Sequence, residues 1–508
     1  MKQTEYDVIV VGGGGSGLAA AVSAAESGCD VLLLEKQPVL GGTTGIAVGS
    51  FTTSGSRLQS KAKLKDSPEE HAEDAGKFAP EEIERLNTTE LRNHFLSHSA
   101  ETLEWLEGMG LAFHGPSPEP PNRKARMHNV VPNAKAYVAV LHSRLVKLGG
   151  TVKCSAAVVG LLREGERVSG VKAEIDGHEF SLEANFGVVM AAGDYANAPD
   201  LISAYKGSEF ENIEGINPHA VGDGHRLVDA VGGKLINMEV TYGPELRFIA
   251  PRRVDPFEQF IPTGGWKGKL LAKLLPFVPK SIIRKKIKEL LVTWQHPEDS
   301  LFKEGAILLN KEGRRFCNEW DSPKREILVS RQPGKEAYIL LCDHLIKKFS
   351  EWPYFISTAP EIAYAYLDDY QRMRPDLVFK GKSLTVLATL SGMVPQHIHA
   401  AVEGFNLYVA GEKKDPFGRT GDKMFLGGQT WMLLGPVKAW FTTTEGGAAI
   451  NESAQVLDAG GYPIPGLYAV GQNGLGGQIL WGHGLHIAWA LTSGRLVGLE
   501  LGRRKEVE

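Results

Sequence analysis

The sequence YDVIVVGGGGSGLAAAVSAAESGCDVLLLE, residues 6–35, decides the fold of the first part of this chain. The β-branched run Val8 to Val11 is typical of a buried parallel strand. Leu18 to Ser27 predicts an alanine-rich helix that ends before Gly28. A second apolar run then ends in Glu35. A strand, a glycine turn, a helix and a second strand with an acid at its tip predict a Rossmann-like unit.

The turn of this unit has glycine at the three positions that a dinucleotide site requires. Gly12 permits the tight turn, Gly14 lets the backbone approach a pyrophosphate, and Gly17 lets the helix pack closely on the strand. The helix N-terminus at Gly15 and Ser16 offers N–H groups and a positive dipole end to the phosphates. The unit as a whole therefore predicts a dinucleotide site.

Further features favour FAD over NAD. Glu35 lies about 20 residues past the turn, where a carboxylate accepts ribose hydroxyls. A second glycine turn at 41–45 suits a long cofactor, and two later strands, before Gly193 and Gly471, also end in small residues. No second GxGxxG unit is present to hold a nicotinamide nucleotide. The predicted FAD contacts are Gly12, Gly14, Gly15, Ser16, Gly17, Glu35, Lys36, Gly42, Thr43, Thr44, Ala157, Ala192, Gly193, Asp223, Gly471, Gln472, Gly484 and Leu485.

The composition limits the function classes. A chain of 508 residues predicts more than one domain. Its 56 basic and 60 acidic residues give a net charge of −4, which offers no case for nucleic-acid binding. Four cysteines without a CxxC pair indicate a reducing compartment and exclude a zinc knuckle or a CxxCH haem site, so no metal is predicted. Without a recognisable signal peptide or membrane-spanning run, the sequence predicts a cytoplasmic protein.

The order of the elements predicts an α/β protein with a discontinuous first domain. Residues 1–245 and 440–508 are expected to form the Rossmann-like FAD-binding domain, with an inserted α+β cap domain at 246–439. Residues 266–294 mix basic and apolar residues and predict two short amphipathic helices. These helices fit either an ordinary cap pair with its lysines in water or a surface that touches anionic membrane.

The motifs together resemble the FAD-dependent oxidoreductases that include soluble fumarate reductases, the succinate dehydrogenase flavoprotein subunit and 3-ketosteroid dehydrogenases. The matching segments, in chain order, are 12–17, 35–36 with 41–43, 222–224, 305–310 with 315–319, 415–419, 445–447, and 466–471 with 494–495. The resemblance implies a flavoprotein of the GR2 type, with FAD between the nucleotide domain and a mobile cap. It also implies hydride exchange at a carbon–carbon bond next to a carbonyl.

Departures from the family pattern bear on the substrate. Where fumarate reductases carry a histidine and an arginine for substrate carboxylates, this chain has Thr443 and Trp481. At the position where fumarate reductases carry a proton-donating arginine, this chain has Ser322-Pro323. A gap in the alignment would instead bring Lys324 or Arg325 to that position. An unpaired carboxylate in a closed site costs several kcal/mol, so a dicarboxylate is disfavoured. The histidine that anchors flavin covalently is also missing, which implies noncovalent FAD.

What remains is closer to the ketosteroid dehydrogenase branch, with a small apolar ketone or enone as substrate and an electron acceptor that the sequence does not identify. Desaturation needs an oxyanion donor and a base beside the flavin. The resemblance assigns the donor to the Gly484 N–H. For the base we expect a tyrosine whose pKa is lowered by nearby cations, and Tyr242, Tyr354 and Tyr364 are the candidates.

Other candidates and functions stay open at this point. His483 and Glu445 are the other titratable groups placed near the flavin, and Thr443, Glu445 and Trp481 are expected to face the substrate. Arg126 and His128 follow a proline-rich loop and could also face the site. The alternative functions are reduction of another α,β-unsaturated acid, with cations from unaligned positions, and a flavin-containing electron-transfer subunit.

Overall fold

The structure is a computed structural model that describes residues 4–251, 264–359, 363–421 and 424–507. Its strands are β1 (Glu5–Val11), β2 (Val31–Leu34), β3 (Ser50–Thr52), β4 (Ala112–Ser117), β5 (Met127–Val131), β6 (Thr151–Lys153), β7 (Ala156–Glu164), β8 (Arg167–Ile175), β9 (His178–Met190), β10 (Glu214–Gly215), β11 (Leu235–Ile236), β12 (Thr241–Tyr242), β13 (Glu245–Phe248), β14 (Ile307–Asn310), β15 (Ala337–Cys342), β16 (Ser357–Ala359), β17 (Ala363–Ala365), β18 (Val378–Gly381), β19 (Trp431–Phe441), β20 (Thr443–Thr444), β21 (Gly447–Ala448), β22 (Gln455–Leu457) and β23 (Pro463–Ala469).

The helices follow the same order along the chain. They are α1 (Gly15–Glu26), α2 (Gly42–Ile46), α3 (Arg57–Lys61), α4 (Pro68–Ala75), α5 (Glu81–Glu84), α6 (Thr89–Gly108), α7 (Lys135–Lys147), α8 (Pro199–Tyr205), α9 (Asp223–Ala230), α10 (Gly265–Leu274), α11 (Lys280–Trp294), α12 (Ser300–Lys303), α13 (Lys324–Ser330), α14 (Asp343–Lys348), α15 (Leu367–Met373), α16 (Leu384–Ser391), α17 (Pro395–Val409) and α18 (Leu485–Val507).

The first core surrounds a mainly parallel sheet. Its central strand order is β22-β23-β9-β1-β2-β6, and β7 and β8 extend it at β9. β1 lies between β2 and β9 and runs parallel to both, and β9 also runs parallel to β23. The strands β1 and β2 are almost entirely buried, which explains their unbroken apolar runs. The predicted α/β fold with a Rossmann-like FAD-binding domain is confirmed.

Helix α1 is in close backbone contact with the turn after β1, and helix α18 is in close backbone contact with α1. A Cβ added at Gly17 of α1 would lie 1.9 Å from the Gly12 carbonyl oxygen, so only glycine lets α1 lie this close to the turn after β1. A Cβ at Gly494 of α18 would lie 2.2 Å from the Ser16 carbonyl oxygen. The last helix is thereby held against the first, and its N-terminus reaches the same end of the sheet as the glycine turn.

The second core surrounds a mixed sheet of β10, β13, β14, β15, β18 and β19. Most of its strands lie within the insertion expected at 246–439, and residues 195–215 also contribute to this core. Tyr195, Ile202 and Phe210 are buried in this second core, and β10 pairs with β19. These residues were assigned to the first domain because they directly follow β9, and no composition change marks the crossing.

Several residues of the family motifs hold the second core together. Arg315 forms ion pairs with Glu319, at 2.8 Å, and with Asp415. Arg419 is fully buried, pairs with Glu319 at 2.8 Å and donates to the Ala306 carbonyl oxygen at 3.0 Å. These motif residues therefore stabilise the second core.

Two short ribbons connect the cores. β12 pairs with β20, and β11 pairs with β21, both in antiparallel register. The pair Tyr242–Thr443 thus lies where the chain enters and leaves the inserted unit. Within the described ranges, no helix combines the length and apolar character needed to span a membrane.

Candidate active site

A cleft of about 770 Å³ lies at the carboxyl ends of the parallel strands. This is where open α/β sheets bind their ligands. Its walls come from the turn after β1, the end of β2, the loop into α2, the start of β7, and the turn after β9. The predicted FAD residues that line it are Gly12, Gly14, Gly15, Ser16, Glu35, Lys36, Gly42, Thr43, Thr44, Ala157, Ala192, Gly193, Asp223 and Gln472.

Four predicted FAD residues lie behind the wall or beyond the end of the cleft. Gly17 packs on Gly12, and a Cβ at Gly471 would lie 2.6 Å from the Ser16 Oγ. Leu485 is buried at the start of α18, and Gly484 packs against Ser50 and Thr52. These residues shape the backbone around the cleft and do not line it.

Side chains at both ends of the cleft hold its loops. Glu35 accepts hydrogen bonds from the Gly13 N–H and the Gln37 N–H, each at 2.7 Å, so it orders the phosphate turn as well as marking the ribose position. Lys36 Nζ lies 2.5 Å from Asp223 Oδ2 across the cleft. Thr44 Oγ1 accepts from the Gly15 N–H at 3.1 Å. The second glycine turn is therefore tied directly to the first.

The cleft fits FAD on three observations. It is elongated from the ribose acid Glu35 to Gln472, and the N-terminus of the twelve-residue helix α1 opens into it. Backbone at Gly193 is free to approach a ligand, because a Cβ there would meet no atom within 4 Å. The buried Gln472 Oε1 has no donor among the described residues, which leaves an acceptor at the flavin end.

Gln472 links the cleft to the boundary between the cores. Its Nε2 donates to Thr443 Oγ1 at 2.6 Å, and that hydroxyl donates to Asp194 Oδ2 at 2.6 Å. Burial raises the pKa of Asp194, although its hydrogen bond from Thr443 opposes this. Thr443 therefore supports the wall around the flavin position and supplies no positive charge there.

A group of aromatic side chains lies next to Thr443. Tyr242, the backbone partner of Thr443, has its ring centroid 5.4 Å from that of Trp481 and 6.5 Å from that of His486. The buried Trp481 Nε1–H has no acceptor in the described part of the chain. We call Tyr242, Trp481 and His486 the aromatic wall. It joins a residue of the interdomain ribbon to the segment that begins the last helix.

Three carboxylates pair with basic side chains around the aromatic wall. His483 Nδ1 lies 2.5 Å from Glu119 Oε1, and His486 Nε2 lies 2.8 Å from the buried Glu445 Oε1. Arg247 Nη2 pairs with Glu245 at 2.8 Å and also donates to Thr442 Oγ1 at 3.1 Å. Each of these basic side chains therefore has a carboxylate partner, and Asp194 is an additional acid behind the wall.

The pKa of Tyr242 is shifted in the direction opposite to our expectation. Burial raises the pKa of this hydroxyl above its usual value, and the charge of Glu245 raises it further. Arg247 opposes the shift without reversing it. The prediction that nearby cations lower the pKa of this tyrosine was wrong, because burial of the hydroxyl outweighs the charge of Arg247.

The other two tyrosine candidates lie in a different place. Tyr354 packs on Phe349 with ring centroids 5.5 Å apart. Tyr364 contacts Trp352, at 5.0 Å, and Phe355, at 4.9 Å. Both tyrosines pack in aromatic contacts between residues 349 and 364, beside the second core, whereas Tyr242 contacts Trp481, in the segment before α18.

Three further candidates, Arg126, His128 and Arg325, have structural partners. Arg126 is fully buried and pairs with Asp66 and Asp74, at 2.7 and 2.6 Å. His128 Nε2 lies 2.8 Å from Ser56 Oγ. Arg325 is buried against Glu326 and does not replace the missing arginine of the family. The ion pairs of Arg126 and Arg325 and the hydrogen bond of His128 thus give each of these side chains a partner within the protein.

Sequence reasoning missed Glu119, Arg247 and His486. Glu119 lies in the proline-rich loop and joins His483 across 364 sequence positions, so no local spacing signals the pair. His486 follows His483 at helical spacing in the first turn of α18, which was an available signal. Arg247 follows Glu245 by two positions on β13, an alternation that places both side chains on one face of the strand.

Comparisons with known proteins agree with this geometry. Residues 7–252 and 264–479 match the sequence family described as FAD binding domain. The chain is 27% identical to a fumarate reductase (cytochrome) of Shewanella frigidimarina, over 98% of this chain and 77% of that protein. The fold is similar to the open conformation of a flavocytochrome c3 fumarate reductase, with a TM-score of 0.73 and 23% identity over 99% of this chain and 78% of the other.

A second solved structure shows the same fold over its whole length. This is 3-ketosteroid Δ1-dehydrogenase from Sterolibacterium denitrificans, with a TM-score of 0.64 and 18% identity over 99% of this chain and 100% of the other. The cofactor predicted from the glycine turns is confirmed as FAD. On the extent of the family match and the geometry of the cleft, this chain belongs to the FAD binding domain family.

Proposed function

We propose that this protein is an FAD-dependent oxidoreductase that reduces the carbon–carbon double bond of a neutral α,β-unsaturated ketone. The observation that carries the proposal is the aromatic wall, where Tyr242 lies beside Trp481 and the basic side chains His483, His486 and Arg247 each already have a carboxylate partner. The two relatives named as a fumarate reductase and a 3-ketosteroid dehydrogenase act on carbon–carbon bonds next to carbonyl groups, which supports the reaction class.

The charge balance disfavours a dicarboxylate. Arg247, His483 and His486 each face a carboxylate, so an entering substrate anion would have to displace Glu245, Glu119 or Glu445. An unpaired carboxylate in a closed site costs several kcal/mol. A neutral ketone avoids this cost. The apolar surface formed by Tyr242 and Trp481 suits a ring system packed against it.

The state of Tyr242 favours reduction over desaturation. Bound FAD supplies the hydride exchange at the β-carbon. A tyrosine whose pKa is raised keeps its proton in the resting enzyme, so Tyr242 starts in the form that can donate a proton to the α-carbon. The tyrosinate left by that donation lies near Arg247, whose charge stabilises it, and it regains a proton from solvent. Desaturation would need the ionised hydroxyl in the resting enzyme, which the burial of Tyr242 opposes. Tyr242 is therefore assigned as a general acid.

Two N–H groups are available to polarise the substrate carbonyl. The Trp481 Nε1–H is buried and has no acceptor among the described residues. The Gly484 N–H lies directly before α18, so the positive end of this 23-residue helix lies beside it. Either donor would stabilise negative charge that develops on the carbonyl oxygen as hydride reaches the β-carbon.

Anaerobic photoreduction separates this function from its alternatives. The reduced enzyme is mixed with cyclohexenone, a steroid enone, fumarate or cinnamate, and flavin reoxidation is followed by absorbance. We expect a neutral enone to reoxidise the flavin at least about 100-fold faster than fumarate does, which corresponds to roughly 3 kcal/mol. Reoxidation by fumarate alone would overturn the proposal, and reoxidation by none of the four would favour an electron-transfer subunit.

The same preparation tests how FAD is held. We expect noncovalent FAD, since glycine backbone and polar side chains line the cleft. Heat denaturation should then release all of the flavin into the supernatant. Flavin that stays with the precipitated protein would show a covalent bond and contradict this expectation.

The pair of His483 and Glu119 predicts a pH-dependent stability. Burial alone would lower the pKa of His483, but the hydrogen bond and charge of Glu119 raise it overall. Because the folded-state pKa is raised, the pair stabilises the fold fully below the unfolded pKa of about 6.5. This stabilisation is lost as the pH rises through the folded-state pKa of His483.

Glu119→Gln should therefore lower the apparent Tm most at pH 5.5 and least at pH 9. We expect the extra loss at low pH to be about 1–2 °C, since His483 is 55% exposed and its ion pair is partly screened. Glu73→Gln, which breaks a mostly exposed pair with Arg123, is the matched control. A Tm difference between wild type and Glu119→Gln that does not change with pH would contradict the prediction.

A further inference from the structure

Helix α10 of the inserted unit is docked on the first domain through a glycine face. A Cβ at Gly268 would lie 1.9 Å from the Gly110 carbonyl oxygen, so the two backbones are in direct contact. The Gly265 N–H donates to the Met109 carbonyl oxygen at 3.0 Å. This face of α10 is therefore fixed against the turn between α6 and β4, and the opposite face points away from the protein.

The opposite face is apolar and exposed. Trp266, Leu270 and Leu274 follow at spacings of four residues, which places them on one side of the helix, and Phe277 continues the row. Their exposed fractions are 72%, 48%, 54% and 82%. Single exposed apolar residues are ordinary, but four large ones in a continuous row indicate an interaction surface.

Positive charge flanks this row. Lys267, Lys269 and Lys273 are exposed on the same ten-residue helix, which contains no acidic residue. The Lys267 Nζ lies 5.8 Å from the centroid of the Trp266 ring. Tryptophan and leucine on one side with lysine beside them form the pattern of a helix that lies in a membrane interface.

We propose that the face formed by Trp266, Leu270, Leu274 and Phe277, with its three lysines, binds the surface of a membrane that contains anionic lipid. Charge complementarity selects this occupant, because phospholipid headgroups supply the anions that the lysines lack within α10. A second copy of this chain on the same face would bring lysine against lysine. The inference is independent of the proposed reaction.

Cosedimentation of the FAD-loaded protein with vesicles tests the proposal. We expect binding to phosphatidylglycerol vesicles at 20 mM salt, and much weaker binding to phosphatidylcholine vesicles or at 500 mM salt. Replacing the three lysines with Gln should weaken binding to the anionic vesicles on the order of 100-fold, at about 1 kcal/mol for each lysine. Trp266→Ser with Phe277→Ser should weaken binding to a similar extent.

Controls separate this surface from general effects of charge and apolarity. A variant in which Gln replaces three exposed lysines outside α10 should bind vesicles like the wild type. These lysines are Lys311, Lys413 and Lys414. Tyr462→Ser removes an equally exposed aromatic residue and should do the same. Wild-type protein that stays in the supernatant with anionic vesicles would overturn the proposal. So would a dimer in sedimentation velocity that Trp266→Ser with Phe277→Ser dissociates, because the face would then belong to a second copy.

Discussion

Tyr242→Phe should slow carbon–carbon double-bond reduction by about 10²–10⁴-fold, the usual contribution of a positioned general acid. The substitution keeps the ring that packs on Trp481 and removes only the hydroxyl. FAD content and photoreduction should be unchanged, because Tyr242 does not line the FAD cleft. The measurement is the rate of flavin reoxidation by a neutral enone after anaerobic photoreduction.

The paired controls are Tyr354→Phe and Tyr364→Phe. Both residues pack in aromatic contacts beside the second core, so their variants should retain the wild-type rate within about twofold. The solvent deuterium isotope effect gives a second readout, since a proton donated by Tyr242 exchanges with solvent. A Tyr242→Phe rate within threefold of wild type, with an unchanged isotope effect, would remove Tyr242 from the mechanism.

The FAD half of the site could be predicted from sequence because its signals are local. Gly12, Gly14 and Glu35 lie within one strand–turn–helix–strand unit, where spacing alone fixes their geometry. The hairpin between β8 and β9 carries a local signal of the same kind. Its turn at Asp176 and Gly177 has positive φ at both residues, 51° and 75°, as the Asp-Gly sequence requires.

The substrate end of the site could not be predicted in the same way. Its charges are paired between remote segments, as in Glu119 with His483 and Glu445 with His486. The pKa of Tyr242 depends on burial and on these pairs, so the sequence alone suggested the wrong direction. A family motif also does not by itself mark a site residue. Arg315 and Arg419 are family positions, and the structure shows them holding the cap core, where a sequence search would not separate them from site residues.

Gly17→Ala should yield protein that purifies largely without FAD. A Cβ at this position would lie 1.9 Å from the Gly12 carbonyl oxygen and 3.2 Å from the Ala191 Cβ. Neither atom can shift easily, since Gly12 is in the turn, at a φ of 111°, and Ala191 directly follows β9 in the core. Helix α1 must therefore move away from the sheet, and its N-terminus leaves the position that binds the pyrophosphate.

We expect the Kd for FAD to rise at least about 100-fold, or roughly 3 kcal/mol, when apoprotein is titrated and flavin fluorescence is followed. Gly404→Ala is the matched control, because Gly404 lies within α17 and a Cβ there would meet no atom within 4 Å. That variant should bind FAD normally and gain about 0.5–1 kcal/mol of stability from alanine's higher helix propensity. Stoichiometric FAD in purified Gly17→Ala would show that α1 can shift without loss of the cofactor. The close contact of Gly17 with Gly12 would then not determine the position of the phosphate site.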